Sequence, residues 1–396
     1  MNKYIPLSVP FIKGNEWDYV KECLDTEWVS SSGKYVDLFE QKIAEYTGSK
    51  FCISCINGTS ALQVSLRLVG VEAGDEVIVP TLTFIAPINA VRYNGAEPIF
   101  IDADEFYNID IDKTIQFIKN ETIYKDGYSF NKTTKNKISG IILVHVWGNA
   151  VDQSELAKVC KERNIPIVED ASESLGTIYN EGVHSGKHTG TLGKIGCLSF
   201  NGNKIITTGG GGMILTNDAD IATKAKYLTT QAKDDPIKYI HNEVGYNFRL
   251  TNIQAAIGIA QLEQLPDILI RKLKIHKSYL NAINKIDGLS LCKGPSYAVN
   301  NHWLNLLQID LGVLEETPEQ LMNTFEENNI QTRPVWGLNH LQKPYKDCQS
   351  YKIEQAFSLV DKSLCLPSSS NLTVPCIEVI IEHLSSIVKL KGQKPN

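Results

Sequence analysis

Two residues, Lys204 and Asp170, have the types and surroundings needed to hold a carbonyl cofactor. Lys204 lies in Ser199-Phe-Asn-Gly-Asn-Lys204-Ile-Ile-Thr-Thr-Gly209, where one amine is framed by hydroxyls and followed by glycines. Such a setting suits a buried Schiff base. Asp170 ends the β-branched run Ile167-Val-Glu-Asp170, a position where carboxylates of α/β proteins often do chemistry. Because pyridoxal phosphate needs a Schiff-base lysine and an anion beside its pyridinium nitrogen, the pair predicts this cofactor.

Small and hydroxyl residues at a predicted helix start could hold the phosphate of such a cofactor. Gly58, Thr59 and Ser60 follow a short apolar stretch and precede apolar residues at helical spacing. Backbone N–H groups at a helix N-terminus bind anions. Ser199 could add a hydroxyl to the same phosphate. The alternative is an ordinary N-cap that binds no ligand, since Ser and Thr cap many helices.

Phe84 and His145 follow two further apolar runs. Phe84 comes after Pro80-Thr-Leu-Thr, where its ring could stack on a flat cofactor, although a core position is the alternative. His145 closes the run Leu143-Val-His145-Val-Trp-Gly148 and could lie near the cofactor. A structural histidine is the alternative there.

The elements that must position these residues alternate along the chain. Short apolar strands and helical patterns follow each other from about Phe51 to Thr216, which predicts an α/β fold with a doubly wound, mainly parallel sheet. A long helix begins after Thr251. We expect a large cofactor-binding domain over residues 1–262 and a smaller α+β domain over 263–396. Residues 120–137, polar and rich in Lys and Asn, predict a hairpin or surface insert.

In their residues and in their order along the chain, several segments resemble the sugar aminotransferases of the DegT/DnrJ/EryC1/StrS family, a branch of the fold-type I pyridoxal-phosphate enzymes. The resemblance spans nearly the whole chain. The segments that carry it are Trp28-Val-Ser-Ser-Ser-Gly-Lys-Tyr-Val36, Asn57-Gly-Thr-Ser60, Gly74-Asp-Glu-Val-Ile-Val-Pro80, Val144-His-Val-Trp-Gly148, the segments around Asp170 and Lys204, and Gly245-Tyr-Asn-Phe-Arg249.

The resemblance implies a role for each matching residue. It makes Lys204 the Schiff-base lysine, Asp170 the pyridinium partner and Phe84 the ring-stacking residue. Thr59, Ser60 and Ser199 become phosphate ligands. Asn247 matches an asparagine that reaches the phosphate from the neighbouring subunit, so the resemblance implies a homodimer with shared active sites.

One position departs from the family pattern. The family commonly has glutamine where this chain has Glu173, near the phenolic oxygen of the cofactor. A glutamate there has to be protonated or paired with a donor. The segment Asp170-Ala-Ser-Glu-Ser-Leu-Gly176 is similar to Asp-Ala-Thr-Glu-Ser-Leu-Gly, which is typical of the legionaminic-acid-type branch that aminates C4 of nucleotide-linked 4-keto-6-deoxy sugars.

Substrate contacts follow from the same resemblance. His302 and Arg333 lie in segments similar to C-terminal signatures of that branch, and we expect them to meet the nucleotide-sugar. We also expect His145 and Trp28 to contact substrate. An arginine beside a tryptophan can equally form a packed cation–π pair, so the role of Arg333 stays open.

The predicted reaction is a transamination in two halves. L-glutamate gives its amino group to the cofactor, and the pyridoxamine phosphate form then aminates C4 of a UDP-linked 2-acetamido-2,6-dideoxy-4-keto-hexose. The alternatives are C3 of a dTDP-keto-sugar or C4 of a GDP-sugar. A dehydratase of the same fold lacks the lysine that is present here as Lys204. A non-catalytic regulator that binds the cofactor or a sugar is a further alternative.

Composition excludes several other classes of protein. The 396 residues are 42% hydrophobic and 21% charged, with a net charge of −6, so a large core is expected and nucleic acid is not an expected partner. No apolar segment approaches the ~18 residues of a membrane span. The first residues lack the apolar core of a signal peptide, so we expect a cytoplasmic protein.

We expect no metal site. Cys52 and Cys55 form one CxxC pair, but residues three apart on a strand face opposite sides of the sheet. His184 and His188 are four apart, but the glycines around them predict a loop. The tail, residues 391–396, is expected to be disordered.

Overall fold

The computed structural model describes residues 4–235 and 237–389. The strands are β1 (Phe51–Cys55), β2 (Glu76–Pro80), β3 (Glu97–Ile101), β4 (Thr122–Lys125), β5 (Tyr128–Asn131), β6 (Lys137–Val144), β7 (Ile167–Asp170), β8 (Ile178–Tyr179), β9 (Ile195–Ser199), β10 (Gly212–Thr216), β11 (Leu289–Leu291), β12 (Ala298–Val299), β13 (Asn305–Ile309), β14 (Arg333–Pro334), β15 (Ser350–Tyr351) and β16 (Ser363–Leu366).

The α-helices are α1 (Glu16–Asp25), α2 (Lys34–Thr47), α3 (Gly58–Leu68), α4 (Ala86–Tyr93), α5 (Ile111–Asn120), α6 (Ser154–Glu162), α7 (Ala219–Thr229), α8 (Asn252–Ile283), α9 (Pro318–Glu327), α10 (Gln355–Lys362) and α11 (Val374–Lys389). Short 3₁₀ helices cover Val146–Gly148, Gly182–His184 and Asn339–Leu341.

The large sheet has the strand order β1-β10-β9-β7-β6-β2-β3-β15. Strands β9, β7, β6, β2, β3 and β15 are parallel, whereas β10 is antiparallel to both β9 and β1. The mainly parallel α/β sheet predicted from the sequence is therefore confirmed. Since β1 is parallel to β9, the carboxyl ends of β1, β9, β7 and β6 lie along one edge.

Both faces of the large sheet are buried, and β6 illustrates why the chain forms it. Ile142 and Val144 point into the apolar cluster that contains α3, whereas Ile141 and Leu143 point into the cluster beneath α5 and α6. Alternate residues of a strand face opposite sides, so a strand covered on both sides needs a continuous apolar run. The apolar run of β6 meets that requirement.

Helix α8 links the large sheet to a second, antiparallel sheet with the order β11-β13-β16-β14. Its start is fixed by a capping box, in which Thr251 and Gln254 satisfy each other's backbone N–H groups. The helix continues through Pro266 to Ile283. The long helix predicted after Thr251 is confirmed.

The predicted domain boundary between residues 262 and 263 falls inside α8. Each of the two predicted domains also contributes residues to the sheet or core of the other. Tyr351 pairs with Ile101, so β15 extends the large sheet. Ile5 forms a bridge with Ile330 and packs in the core of the smaller sheet. The division into 1–262 and 263–396 stays a prediction.

The insert predicted over residues 120–137 is confirmed as a hairpin, because β4 and β5 pair in antiparallel register and β5 then pairs with β6. The tail of residues 391–396 lies outside the described residues. Within the described ranges, none of the helices has the length and apolar character needed to cross a bilayer. The cytoplasmic location stays a prediction.

Candidate active site

A cavity of about 380 Å³ lies where the carboxyl ends of the central strands meet. Asp170 ends β7, Ser199 ends β9, and β1 leads through Asn57 into α3. Gly212 pairs with both Cys55 and Ser199, which brings these strand ends side by side. The sheet therefore gathers at one edge residues that are far apart in sequence, as parallel sheets generally do.

Asp170 is buried on the wall of this cavity. Its Oδ1 accepts a hydrogen bond of 3.0 Å from the backbone N–H of Ser172. Burial raises the pKa of Asp170 above its ordinary value of 3.8, while hydrogen bonds from Ser172 and the charge of Lys204 oppose the rise. A buried carboxylate with so little compensation is suited to face a cationic partner.

Lys204 extends into the same cavity, and its side chain is only 11% exposed. Its Nζ lies 3.3 Å from Oε1 of Glu173 and 4.2 Å from the centroid of the Trp303 ring. The amine thus lies within contact distance of both a carboxylate and an aromatic ring. Lys204 and Asp170, chosen from sequence, are brought together by the fold.

Glu173 has the donor pairing that a glutamate at this position requires. Its Oε2 accepts a hydrogen bond of 2.8 Å from the backbone N–H of Trp147, and Oε1 faces Lys204. Burial raises the pKa of Glu173, and the charge of Lys204 and the Trp147 N–H oppose that rise. The carboxylate is thereby fixed on the cavity wall between a lysine and a backbone donor.

The N-terminus of α3 forms another wall. Asn57 caps the helix, since its Oδ1 accepts from the Ser60 N–H at 2.8 Å. Gly58 and Thr59 line the cavity together with Ser199, whereas the Ser60 side chain lies behind them. A Cβ on Gly58 would lie 2.9 Å from Cβ and 3.2 Å from Oγ of Ser199, so only glycine leaves this corner open. The predicted helix start is confirmed.

Aromatic rings form the remaining wall. Phe84 lines the cavity, is 51% exposed, and lies 6.2 Å from the ring of Trp336. The rings of Trp336 and Trp147 are stacked at 4.7 Å with an angle of 11°. Phe84 is therefore free to cover a flat ligand on its exposed face.

Sequence reasoning missed three tryptophans at this cavity, Trp147, Trp303 and Trp336. Each tryptophan lies within three residues of a polar side chain that was predicted to be functional in its place. His145 was chosen two residues before Trp147, and His302 directly before Trp303. An indole ring beside a predicted cofactor site was the signal that could have identified them.

Arg333 lies on the cavity wall, whereas Ser60 and four other predicted site residues do not. His145 is buried behind it, where Nδ1 accepts from the Val151 N–H and Nε2 therefore donates to Glu169 at 2.9 Å. His302 stacks on His276 at 3.9 Å, away from the lining. Residues Trp28 and Asn247 are exposed outside the cavity of this single chain.

The residues present fit pyridoxal phosphate. The buried carboxylate of Asp170 and the amine of Lys204 share one cavity, with Phe84 on a third side. The corner that glycine keeps open at Gly58 adjoins the Ser199 hydroxyl and the start of α3, where an anion is favoured. These are the donors and the space that a phosphorylated pyridine aldehyde requires.

Comparison with known proteins agrees with this geometry. The model of the DegT/DnrJ/EryC1/StrS aminotransferase family matches residues 10–385. The chain belongs to this family. It is an aminotransferase with the pyridoxal-phosphate-dependent fold and cofactor that the sequence predicted.

Curated relatives and solved structures extend over almost the whole chain. The GDP-perosamine synthase of Escherichia coli O157:H7 is 37% identical over 97% of this chain and 98% of its own length. The enzyme of the same name from Caulobacter vibrioides is 36% identical over 97% and 98%. A DegT/DnrJ/EryC1/StrS aminotransferase from Brucella abortus has a crystal structure with a TM-score of 0.84, 25% identity and 96% coverage of each chain. The legionaminic-acid-type branch stays a prediction.

Proposed function

We propose that this aminotransferase moves the amino group of L-glutamate to C4 of a 4-keto-6-deoxy-hexose linked to a nucleoside diphosphate. The observation that carries the proposal is the placement of Lys204 Nζ, 3.3 Å from Glu173 Oε1 in the same cavity as Asp170 and the start of α3. The lysine supports a transaminase over a dehydratase of this fold, which lacks it. A regulator would need the cavity but not this pairing of amine and carboxylates.

When bound, pyridoxal phosphate supplies an electron sink that makes the Cα–H of the amino donor acidic. Asp170 would keep the ring nitrogen protonated, because a carboxylate favours a nearby positive charge. Gly58, Thr59 and Ser199 would hold the phosphate. Lys204 would carry the proton on Nζ between the two carbon atoms that exchange it in each half-reaction.

The walls of the cavity position the reactants. Phe84 would cover the cofactor ring, and Glu173 would orient the amine of Lys204 through the contact at Oε1. Arg333 is exposed at the rim, where a guanidinium suits a carboxylate or a diphosphate. The His145 side chain binds Glu169, the residue before Asp170, and its backbone N–H donates to the Asp170 carbonyl at 3.0 Å. Through these two contacts, His145 would hold the end of β7 in place.

Two nucleotides are supported by different observations. Relatives at 36–37% identity are named GDP-perosamine synthases, which favours a GDP-linked acceptor. The segment from Asp170 to Gly176 favours the UDP-linked acetamido sugar predicted from sequence. We give the GDP-sugar precedence, because its support comes from similarity over almost the whole chain.

We further propose a homodimer in which Asn247 completes the partner's phosphate site. Asn247 is exposed, and among the described residues its Oδ1 has only contacts of 3.4 Å with Arg249. Three large apolar side chains that precede it, Ile237, Tyr239 and Val244, are largely exposed. Exposed apolar residues concentrated in one segment are typical of a protein interface.

The first experiment follows the visible spectrum of the purified enzyme. Absorbance at about 410–430 nm from cofactor bound to Lys204 should disappear with L-glutamate. It should return with one member of a panel of GDP-, UDP- and dTDP-linked 4-keto-6-deoxy sugars. Recovery with the GDP-sugar supports the proposal, recovery with the UDP-sugar supports the prediction from sequence, and recovery with none of them contradicts both.

Lys204→Ala tests the assignment of the lysine. The variant should fold normally but lose the band and at least about 10³-fold in turnover, because both the attachment point and the proton carrier are removed. The exposed Lys194, changed to Ala, is the matched control and should behave as the wild type. Normal turnover in Lys204→Ala would refute the assignment. A retained biological role without turnover would instead favour a regulator.

A further inference from the structure

Lys272, in α8, is a buried lysine with carbonyl groups as its partners. The residue is 3% exposed, and its Nζ donates to the carbonyl oxygens of Trp303, at 2.9 Å, and of Ser368. Burial lowers its pKa to about 7, and no carboxylate among the described residues offsets that effect. An apolar side chain of similar length would avoid this cost, so packing alone does not account for a lysine here.

Trp303, one of the two residues that Lys272 binds, is held at three points. Its carbonyl accepts from Lys272, its backbone N–H donates to Asn301 Oδ1 at 2.9 Å, and its indole Nε1–H donates to the Asn203 carbonyl at 2.6 Å. Asn301 in turn donates to the backbone carbonyl of Glu173 at 2.8 Å. The loop before β13 is therefore tied to the two segments that carry Glu173 and Lys204.

The ring held in this way faces the amine of Lys204, with 4.2 Å between the ring centroid and Nζ. The same amine lies 3.3 Å from Oε1 of the Glu173 carboxylate. A flexible lysine side chain has several rotamers, and its amine reacts efficiently only when it is held in the productive one. The Trp303 ring lies close enough to the amine to restrict the rotamers of Lys204.

We propose that Lys272 is a positioning residue: by binding the carbonyls of Trp303 and Ser368, it holds the Trp303 ring against the amine of Lys204. Its partners come from two separate segments, the loop before β13 and the chain after β16, so one side chain fixes the loop against the smaller sheet. Ser368 is itself buried, and its Oγ accepts from the Asn305 N–H at 3.0 Å. This inference rests on the proposed role of Lys204.

Two histidines are the titratable neighbours of Lys272. His276, one turn further along α8, stacks on His302, which directly precedes Trp303. Burial is the largest cause that lowers the pKa of His302, followed by the charge of His276 and then by that of Lys272. Neither histidine offers a negative charge, so the hold on Trp303 depends on hydrogen bonds from Lys272 to neutral carbonyls.

A double-mutant cycle tests the proposal with Lys272→Met, Trp303→Leu and the double variant. In the glutamate half-reaction, Lys272→Met should lower kcat roughly tenfold with little change in KM, less than the ~10² that a 1 Å misplacement can cost. In the Trp303→Leu background the same change should have no further effect on kcat, because the ring is already gone. Lys274→Met, at an exposed position two residues away, is the matched control.

A second measurement does not require turnover. Cofactor-free protein is mixed with pyridoxal phosphate, the adduct is reduced with borohydride, and the rate of labelling at Lys204 is followed by mass spectrometry. Lys272→Met should slow labelling several-fold, whereas Lys274→Met should not. This assay remains informative if Trp303→Leu does not fold.

The outcomes separate this inference from the proposed function. Labelling at a lysine other than Lys204 would contradict the proposed function itself. Labelling at Lys204 with equal rates in wild type and Lys272→Met would overturn only the role of Lys272. An equal loss of kcat from Lys272→Met in both backgrounds of the cycle would also overturn it, because the effect would then not pass through the Trp303 ring.

Discussion

At the scale of single residues, Asp170 has a charge that is costly to bury in the cofactor-free protein and that would serve the cofactor in its proposed role. Burial raises its pKa from 3.8, so the folded, cofactor-free chain binds the proton more tightly than the unfolded chain. The contribution of Asp170 to the free energy of unfolding must therefore fall as the pH rises above the ordinary carboxyl value. In the proposed site, the bound cofactor would relieve this cost, because its ring nitrogen would carry the opposite charge.

Asp170→Asn should raise the stability of the cofactor-free protein and lower the activity of the enzyme. The cofactor-free variant should melt higher than the wild type, by about 1 °C for each kcal/mol of charge burial relieved in a chain of 396 residues, with a difference that grows from acidic to neutral pH. Turnover should fall roughly 10²–10³-fold, because an amide cannot keep the ring nitrogen protonated. Melting curves across pH and steady-state rates measure both effects. A pH-independent difference in melting temperature would contradict the charge argument.

The same residues indicate how far sequence reasoning reaches. Lys204 and Asp170 were predictable because a lysine framed by hydroxyls and glycines occurs in the same chain as an acid at a strand end. Glu173 was singled out only through the resemblance to the family, which commonly has glutamine at that position. The three cavity tryptophans were not chosen, since an apolar ring in a sequence reads equally well as core. The histidines were chosen for their chemistry, yet the fold uses the His145 side chain to bind Glu169.

At the scale of elements, the start of α3 is the part of the site that the backbone itself forms. Asn57 satisfies the Ser60 N–H as a cap, and Gly58 lies against Ser199. The position of this helix was predictable from its capping residues and apolar spacing. The close approach of Gly58 to Ser199 was not, because it depends on β1, β10 and β9 lying side by side.

Gly58→Ala should weaken binding of pyridoxal phosphate without removing any ligand group. The added Cβ would lie 2.9 Å from the Ser199 Cβ, so helix or serine must move, at a cost of about 1–3 kcal/mol. That cost corresponds to roughly five- to 150-fold in Kd. Titration of cofactor-free protein, followed by absorbance, gives the constant. Gly202→Ala is the control, because no atom lies within 4 Å of the Cβ that it would add. Equal affinity in both variants would contradict the assignment of Gly58 to the phosphate site.

At the scale of the whole molecule, the contacts between segments that are distant in sequence could not be predicted from the sequence. Lys272 in α8 meets Trp303 and Ser368, which are separated from it by 31 and 96 residues. Periodicity predicted α8 itself, but not which of its polar residues would be buried. The assignment of Lys272 therefore depends on the packing of the smaller sheet against the large one.

The subunit arrangement is testable because Asn247 lies outside the cavity of its own chain while Lys204 and Asp170 lie inside it. If Asn247 completes the partner's site, inactive Lys204→Ala and Asn247→Asp subunits should restore activity when they are mixed and allowed to exchange. A mixed dimer then has one site with both native residues. Random exchange makes half of the dimers mixed, so about a quarter of wild-type activity is expected.

Lys204→Ala mixed with Asp170→Asn provides the control for this experiment. Both changes affect the site of their own subunit, so every mixed dimer has two defective sites and activity should stay low. Size-exclusion chromatography with light scattering checks that each variant still forms dimers. Recovery of activity in the control pair would contradict the shared site. So would a lack of recovery with Asn247→Asp when the dimers have exchanged subunits, because only an asparagine that crosses the interface can complement a defect in the other chain.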